Sequence, residues 1–199
     1  LVVGSETLSR ITDQYDRNSM IFADGAGAVV VKATDEENVG IIAHNTICDN
    51  AAELDYLLNS NSVNKEADQK PIYITMLGRK IYEYALTNVP IAMKETIDDA
   101  GLSIEDINKI LIHQANAKMD YAMIDRLHKL YGIKDYDHSI APMTIQQFGN
   151  SSVATIPTMF DLIIKNKMKD QTFAKNGNVV FASVGAGMNV NCIVYKFPK

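Results

Sequence analysis

Apolar residues recur at helical spacing in two long stretches of the chain. From Ile74 to Ala100, the side chains of Leu77, Ile81, Tyr84, Ala85, Val89, Ala92, Met93 and Ile97 fall on one face of a 3.6-residue period. This predicts a helix that Gly101 ends and that Pro90 kinks or divides, because proline supplies no N–H to an interior turn. A second stripe, Met119, Ala122, Met123, Leu127 and Leu130, predicts a helix over 117–130 closed by Gly132. A third helix is predicted from about Ser151 to Lys165, with Pro157 inside it. Between the first two, Ser103 and Asp106 have capping-box spacing and open a short helix.

Shorter β-branched runs punctuate these helices. Val29–Val31 follows the small-residue stretch Asp24-Gly25-Ala26-Gly27-Ala28, and Gly40–Ile47 follows the charged turn Asp35–Asn38; together they predict a hairpin. The glycines at 25 and 27 read as close-packing positions, since no Lys-Ser/Thr follows to make a phosphate loop. Residues 59–70 carry few large apolar side chains and read as an exposed loop. A strand over 109–112 runs straight into the helix at Ala117, so His113-Gln114-Ala115-Asn116 lies at a strand-to-helix corner. After the turn Lys175-Asn176-Gly177, runs at 178–183 and 189–197 joined by Gly185-Ala186-Gly187 predict an antiparallel hairpin. Strands alternating with long helices imply an α/β layered domain, and the hairpins imply a mixed sheet.

Composition narrows the function. A chain of 199 residues, 47% hydrophobic and 22% charged, can bury the core of one large globular domain. Its net charge of −5 lacks the clustered Lys and Arg that a general nucleic-acid binder needs. The longest apolar runs fall far short of the ~20 residues that cross a bilayer, and no secretory signal opens the chain, so neither nucleic acid nor membrane is an expected partner. Cys48 and Cys192 have no metal-site spacing and make no disulfide framework, which fits a reducing cytoplasm. The chain opens on Leu1-Val2-Val3-Gly4-Ser5, without Met or helix cap, and reads as a buried strand entered midway.

Ligands of open α/β sheets bind beyond the carboxyl ends of strands, where helix N-termini and unpaired amides converge. Three corners fit: His113–Asn116, Gly149–Ser152 and Gly185–Gly187. A neutral imidazole and a carboxamide facing one pocket, with amides from a glycine turn, can stabilise an oxyanion without a metal. No cofactor is called for.

The strings Asp24-Gly25-Ala26-Gly27-Ala28, Ile112-His113-Gln114-Ala115-Asn116, Gly149-Asn150-Ser151-Ser152-Val153-Ala154-Thr155-Ile156-Pro157 and Gly185-Ala186-Gly187 resemble, in this order, β-ketoacyl-acyl-carrier-protein synthase III. The resemblance covers essentially the whole chain. It implies a thiolase-like fold, with residues 1–20 ending the N-terminal half and 21–199 forming the C-terminal layered α/β half, a mixed β-sheet packed by helices. It also implies a cytoplasmic homodimer and a decarboxylative Claisen condensation. An acyl-CoA primer would load a cysteine, and malonyl on acyl carrier protein would lose carbon dioxide and attack the acyl thioester. His113 and Asn150 would be catalytic, and the Ala186 amide would serve an oxyanion hole. Arg17 would contact coenzyme A, and Lys118 would stand where the family commonly has an Arg engaging the carrier protein. The family's cysteine precedes the strand matched by Leu1–Ser5, so the chain is expected to lack its nucleophile and to be inactive alone. Two departures suggest a divergent subfamily: Ala186 replaces the middle glycine of a Gly-Gly-Gly turn, and the segment between His113 and Asn150 is longer than usual.

Each residue also has a plainer reading. His113 could be a satisfied structural histidine, and Asn150 a helix N-cap. His44, His128 and His138 read as surface or packing residues, Cys192 as core, and the methionines as core filler. Cys48 is a poor substitute nucleophile, because neighbouring Asp49 would raise a thiol pKa. Against the acyltransferase stand a non-catalytic partner domain of a heterodimeric condensing enzyme and a related polyketide-type synthase. A non-catalytic partner has no chemical need for both His113 and Asn150.

Overall fold

The protein is described by a computed structural model of residues Leu1 to Lys199. Its centre is a four-stranded mixed sheet in the order β3-β8-β7-β6, formed by β3 (Gly40–Cys48), β6 (Ile107–Ile112), β7 (Asn178–Gly185) and β8 (Asn189–Lys196). Strand β6 runs parallel to β7, while β7 and β8 form the antiparallel hairpin expected around Gly185–Gly187.

Both faces of this sheet are covered, and the strand residues divide between them with period 2. Ile110 and Ile112 of β6, Val180 and Ala182 of β7, and Val190, Cys192 and Val194 of β8 join the main core. Helices α1 (Gly78–Asp99) and α2 (Ala117–Leu130) supply its other side through Val89, Met93, Ile97, Met123 and Leu127. Leu111 and Val179 turn the opposite way, onto Met159 and Ile163 of α4 (Thr155–Ile164). The helical stripes predict most of these buried faces, but Leu77 and Leu130 are exposed, Tyr73–Met76 form a strand rather than the start of α1, and α4 begins at Thr155 rather than Ser151. Pro90 is buried inside α1, which remains one helix across it. Ser103 and Asp106 make the expected capping box, opening a single 3-10 turn over Ile104–Asp106. A short helix α3 (Ile145–Phe148), not expected from the pattern, precedes Gly149.

The hairpin expected from Val29 and Gly40 does not form. Strand β2 (Asp24–Val29) pairs antiparallel with β1 (Val2–Thr7), whereas β3 pairs with β8 at the far end of the chain. The sequence pattern marks strands but not partners; residues 30–39 carry the chain from one sheet to the other. Nor is β1 buried as its apolar opening suggests: it belongs to a two-stranded sheet, and Leu1, Val2 and Val3 are exposed. The expected loop at 59–70 is flanked by a small hairpin of β4 (Leu57–Ser60) and β5 (Tyr73–Met76). Buried Asp13 tethers its start, accepting hydrogen bonds from Ser62 Oγ at 2.9 Å and the Val63 amide at 2.7 Å.

The glycines of β1 and β2 act as close-packing positions. A Cβ on Gly27 would stand 2.5 Å from Pro157 Cγ, one on Gly4 2.6 Å from Val153 Cγ2, and one on Gly25 3.0 Å from the Cβ atoms of Ser151 and Ala154. The small sheet thus lies directly on the N-terminal turns of α4. No helix of the protein is long and apolar enough to cross a membrane.

Candidate active site

Strand β6 ends at Ile112, and the His113 amide still donates to Ala182 O at 2.8 Å, so His113 leaves the sheet in strand register. The turn closes at Asn116, whose extended backbone and side-chain oxygen, accepting from the Met119 amide at 2.9 Å, make it the N-cap of α2. Between them Gln114 is fully buried. Its Oε1 accepts from the amides of Thr144 and Ile145, both at 2.8 Å, and its Nε2 donates to Pro142 O at 3.0 Å. Gln114 therefore fastens the start of α3 to the end of β6.

The second corner follows α3. Gly149 has φ +65° and ψ −165°, a conformation open essentially to glycine alone, and a Cβ there would stand 3.1 Å from Ala23 Cβ and Ile21 O. Asn150 is bridged to the neighbouring segment on both sides: its amide donates to Ile21 O at 2.7 Å, and its carbonyl accepts from the Ala23 amide at 2.9 Å. Its side-chain Oδ1 accepts from the Ser152 amide at 2.9 Å, a turn bond rather than the expected helix cap, a position that Ser151 holds. That fixes the carboxamide and leaves its Nδ2 to donate elsewhere.

These corners meet at one cavity of about 170 Å³. Its polar wall is made by Asn18, His113, Asn116 and Asn150, and its apolar wall includes Ile21, Phe22, Leu57, Met76, Met119, Val184 and Met188. Burial pushes the His113 pKa down to about 4, against the opposing effect of a hydrogen bond with the Ser152 backbone. The imidazole is therefore neutral near pH 7 and carries a single ring N–H, which donates into the cavity in the tautomer that leaves the Ser152 side to the other nitrogen. Neutral donors in a largely apolar cavity are suited to a developing oxyanion, because little water competes for them.

The other predicted residues lie around this cavity rather than on its wall. Gly185 and Met188 line it while Ala186, between them, is exposed and offers its carbonyl to Asn189 Nδ2 at 2.7 Å. Arg17 is exposed beside the lining residue Asn18, and Lys118 is exposed in the first turn of α2. Cys48 Sγ stands 3.9 Å from Gly187 O and does not line the cavity; Cys192 is buried, its thiol pushed up to about 12 by desolvation. Sequence reasoning missed the clamp of Gln114, the place of Asn18 and the buried carboxyl of Asp120. Gln114 sits inside a motif that resemblance singles out, but neither period nor composition shows that its amide is spent on Thr144 and Ile145.

Residues 97–197 match the family model described as 3-oxoacyl-[acyl-carrier-protein (ACP)] synthase III C terminal, just over half of the chain. The chain belongs to this family. Residues 1–50 match the companion model, 3-oxoacyl-[acyl-carrier-protein (ACP)] synthase III. Among curated relatives, β-ketoacyl-[acyl-carrier-protein] synthase III 2 of Staphylococcus epidermidis is 34% identical over 94% of this chain, which covers 55% of that protein. Among solved structures, 3-oxoacyl-(acyl carrier protein) synthase III of Pseudomonas aeruginosa superposes with a TM-score of 0.81 at 27% identity, covering 99% of this chain and 57% of the other. The priming β-ketosynthase of the R1128 polyketide biosynthetic pathway gives 0.80 at 25% identity, over 99% of this chain and 56% of its own. The chain thus spans a little over half the length of the synthase III proteins it matches, and its layered α/β architecture is theirs.

Proposed function

We propose that this chain carries the decarboxylation half of a condensing enzyme's active site. His113 and Asn150 hold the thioester carbonyl of malonyl-acyl-carrier protein. When the C–C bond to the carboxylate breaks, carbon dioxide leaves, and the electron pair is delocalised onto the carbonyl oxygen as an enolate between the two donors. The enolate carbon then attacks an acyl thioester on a cysteine, forming a C–C bond and expelling the cysteine thiolate. The observation that carries this reading is the shared cavity: a neutral imidazole and a fixed carboxamide, from corners far apart in sequence, line the same small, largely apolar space.

The acyl group comes from an acyl-CoA primer, with Arg17 contacting coenzyme A, Lys118 engaging the carrier protein and the Ala186 amide serving the oxyanion hole of the acyl-transfer step. The working enzyme is a cytoplasmic homodimer. Neither Cys48 nor Cys192 stands on the cavity wall, so the nucleophile of the loading step is assigned outside these 199 residues, which alone carry out neither half-reaction. The likeness to a polyketide priming ketosynthase supports a second assignment of the same chemistry, in which the primer starts a polyketide rather than a fatty acid.

The test separates the half-reactions in the full-length protein. His113→Ala and Asn150→Ala are each expected to lower malonyl-carrier-protein decarboxylation by roughly a hundredfold or more while leaving cysteine acylation from acyl-CoA intact. Carbon dioxide release unaffected by both substitutions refutes the assignment.

A further inference from the structure

One buried ionisable group beside the cavity has no part in the chemistry above. Asp120 lies in the first turn of α2 and is fully buried, and neither of its carboxyl oxygens has a hydrogen-bond partner. A side chain there leans back toward the helix N-terminus. It reaches the amides of Ala115 and Asn116, which approach closely enough to favour the ionised form without completing hydrogen bonds. Both residues also line the cavity, so one layer of backbone separates the carboxyl from the reacting space. A leucine in this place would satisfy the surrounding core; an unpartnered carboxyl costs stability.

We propose that Asp120 is a positioning residue for decarboxylation: as a neutral acid it fills the space behind the Ala115–Asn116 corner without charge, and on losing its proton it sets a negative charge there, opposing the enolate. The inference rests on the decarboxylation reading. Desolvation raises the carboxyl's pKa to about 8 and the two amides pull it back only in part. No charged side chain acts on it, neither Lys118 nor Asp125 of its own helix nor His113 at the end of β6: desolvation and the two backbone amides are the influences on the carboxyl. The acid is therefore mostly neutral at pH 7 and mostly ionised at pH 9. His113, with its pKa near 4, stays neutral throughout and cannot produce the same change.

The full-length protein decides it, with malonyl-carrier-protein decarboxylation followed as carbon dioxide release. Wild-type kcat should fall roughly tenfold from pH 7 to pH 9, tracking the neutral fraction of Asp120, with KM little changed because the charge acts on the enolate and not on the bound thioester. Asp120→Asn keeps the shape but cannot ionise, and its ratio of kcat at pH 7 to kcat at pH 9 should stay within about twofold of unity. An unchanged alkaline fall in the variant, or the same fractional loss at every pH, overturns the proposal. Should Asp120→Asn fail to fold, infrared difference spectra of the wild type carry the test: a protonated carboxyl band must disappear in step with kcat, and a carboxyl already ionised at pH 6 refutes the idea. His113→Ala and Asn150→Ala run alongside distinguish the failures. If they abolish decarboxylation while Asp120→Asn keeps the alkaline fall, only this inference is lost; if they leave decarboxylation intact, the underlying assignment falls.

Discussion

The two corners that bring His113 and Asn150 together are built by different means. The first, from β6 into α2, follows local rules: a strand residue still bonded in register, an extended N-cap and a helix that starts at once. The second, from α3 toward α4, departs from them. It passes through Gly149 at φ +65° and Ser152 at φ +51°, has a 3-10 turn before the α-helix, and is hydrogen-bonded to residues 21–23 as well as within itself. The first corner thus takes its turn and cap from contiguous residues while its strand residue is held by β7, and the second is held by a distant segment that must already be in place.

The sharpest way to break the comparison is at Gly149. Gly149→Ala forces a side chain into a backbone region reserved for glycine and brings its Cβ to 3.1 Å from both Ala23 Cβ and Ile21 O. A loss of about 2–4 kcal/mol of stability is expected, measured by chemical denaturation of the full-length protein. Because the strain is relieved by moving Asn150, decarboxylation should fall further than stability does. Wild-type decarboxylation in this variant would show that the second corner does not need its contact with residues 21–23.

Gln114 joins the corners, and its removal tests whether they are independent. Gln114→Leu retains volume but leaves the buried Thr144 amide and the half-buried Ile145 amide without the acceptor they share, at an expected cost of about 2 kcal/mol. The first corner lies on the β6 side of this link, so hydrogen exchange should rise at residues 144–150 and stay low across α2. Equal loosening of both regions would mean that α2 also depends on the link.

This contrast explains what the sequence discloses. Helix α2 is legible from its stripe, because helix period is a property of contiguous residues. The β7–β8 hairpin is legible for the same reason. The pairing of β2 with β1, and of β3 with β8, is not, since alternation marks a strand without naming its neighbour. The same limit applies within the site. His113 reads as the end of a strand, whereas Asn150 alone reads as a helix cap; in the structure Ser151 holds the cap position, and Asn150 only accepts a turn bond from the Ser152 amide. Only the resemblance of the string around it points to chemistry. Its approach to His113 depends on Ile21 and Ala23, more than a hundred residues earlier in the chain.

The smallest expected effect belongs to the cap of the first corner. Asn116→Ala removes the acceptor for the Met119 amide, and N-caps of this kind contribute about 1 kcal/mol. Asn116→Asp keeps the acceptor and adds a negative charge at the positive end of α2, so it should recover stability. It should not recover catalysis to the same extent, because Asn116 lines the cavity and a carboxylate there repels the enolate. Stability restored with decarboxylation still depressed is therefore the expected signature. It would show that local rules suffice to build this corner, while the chemistry beside it further restricts which cap it can tolerate.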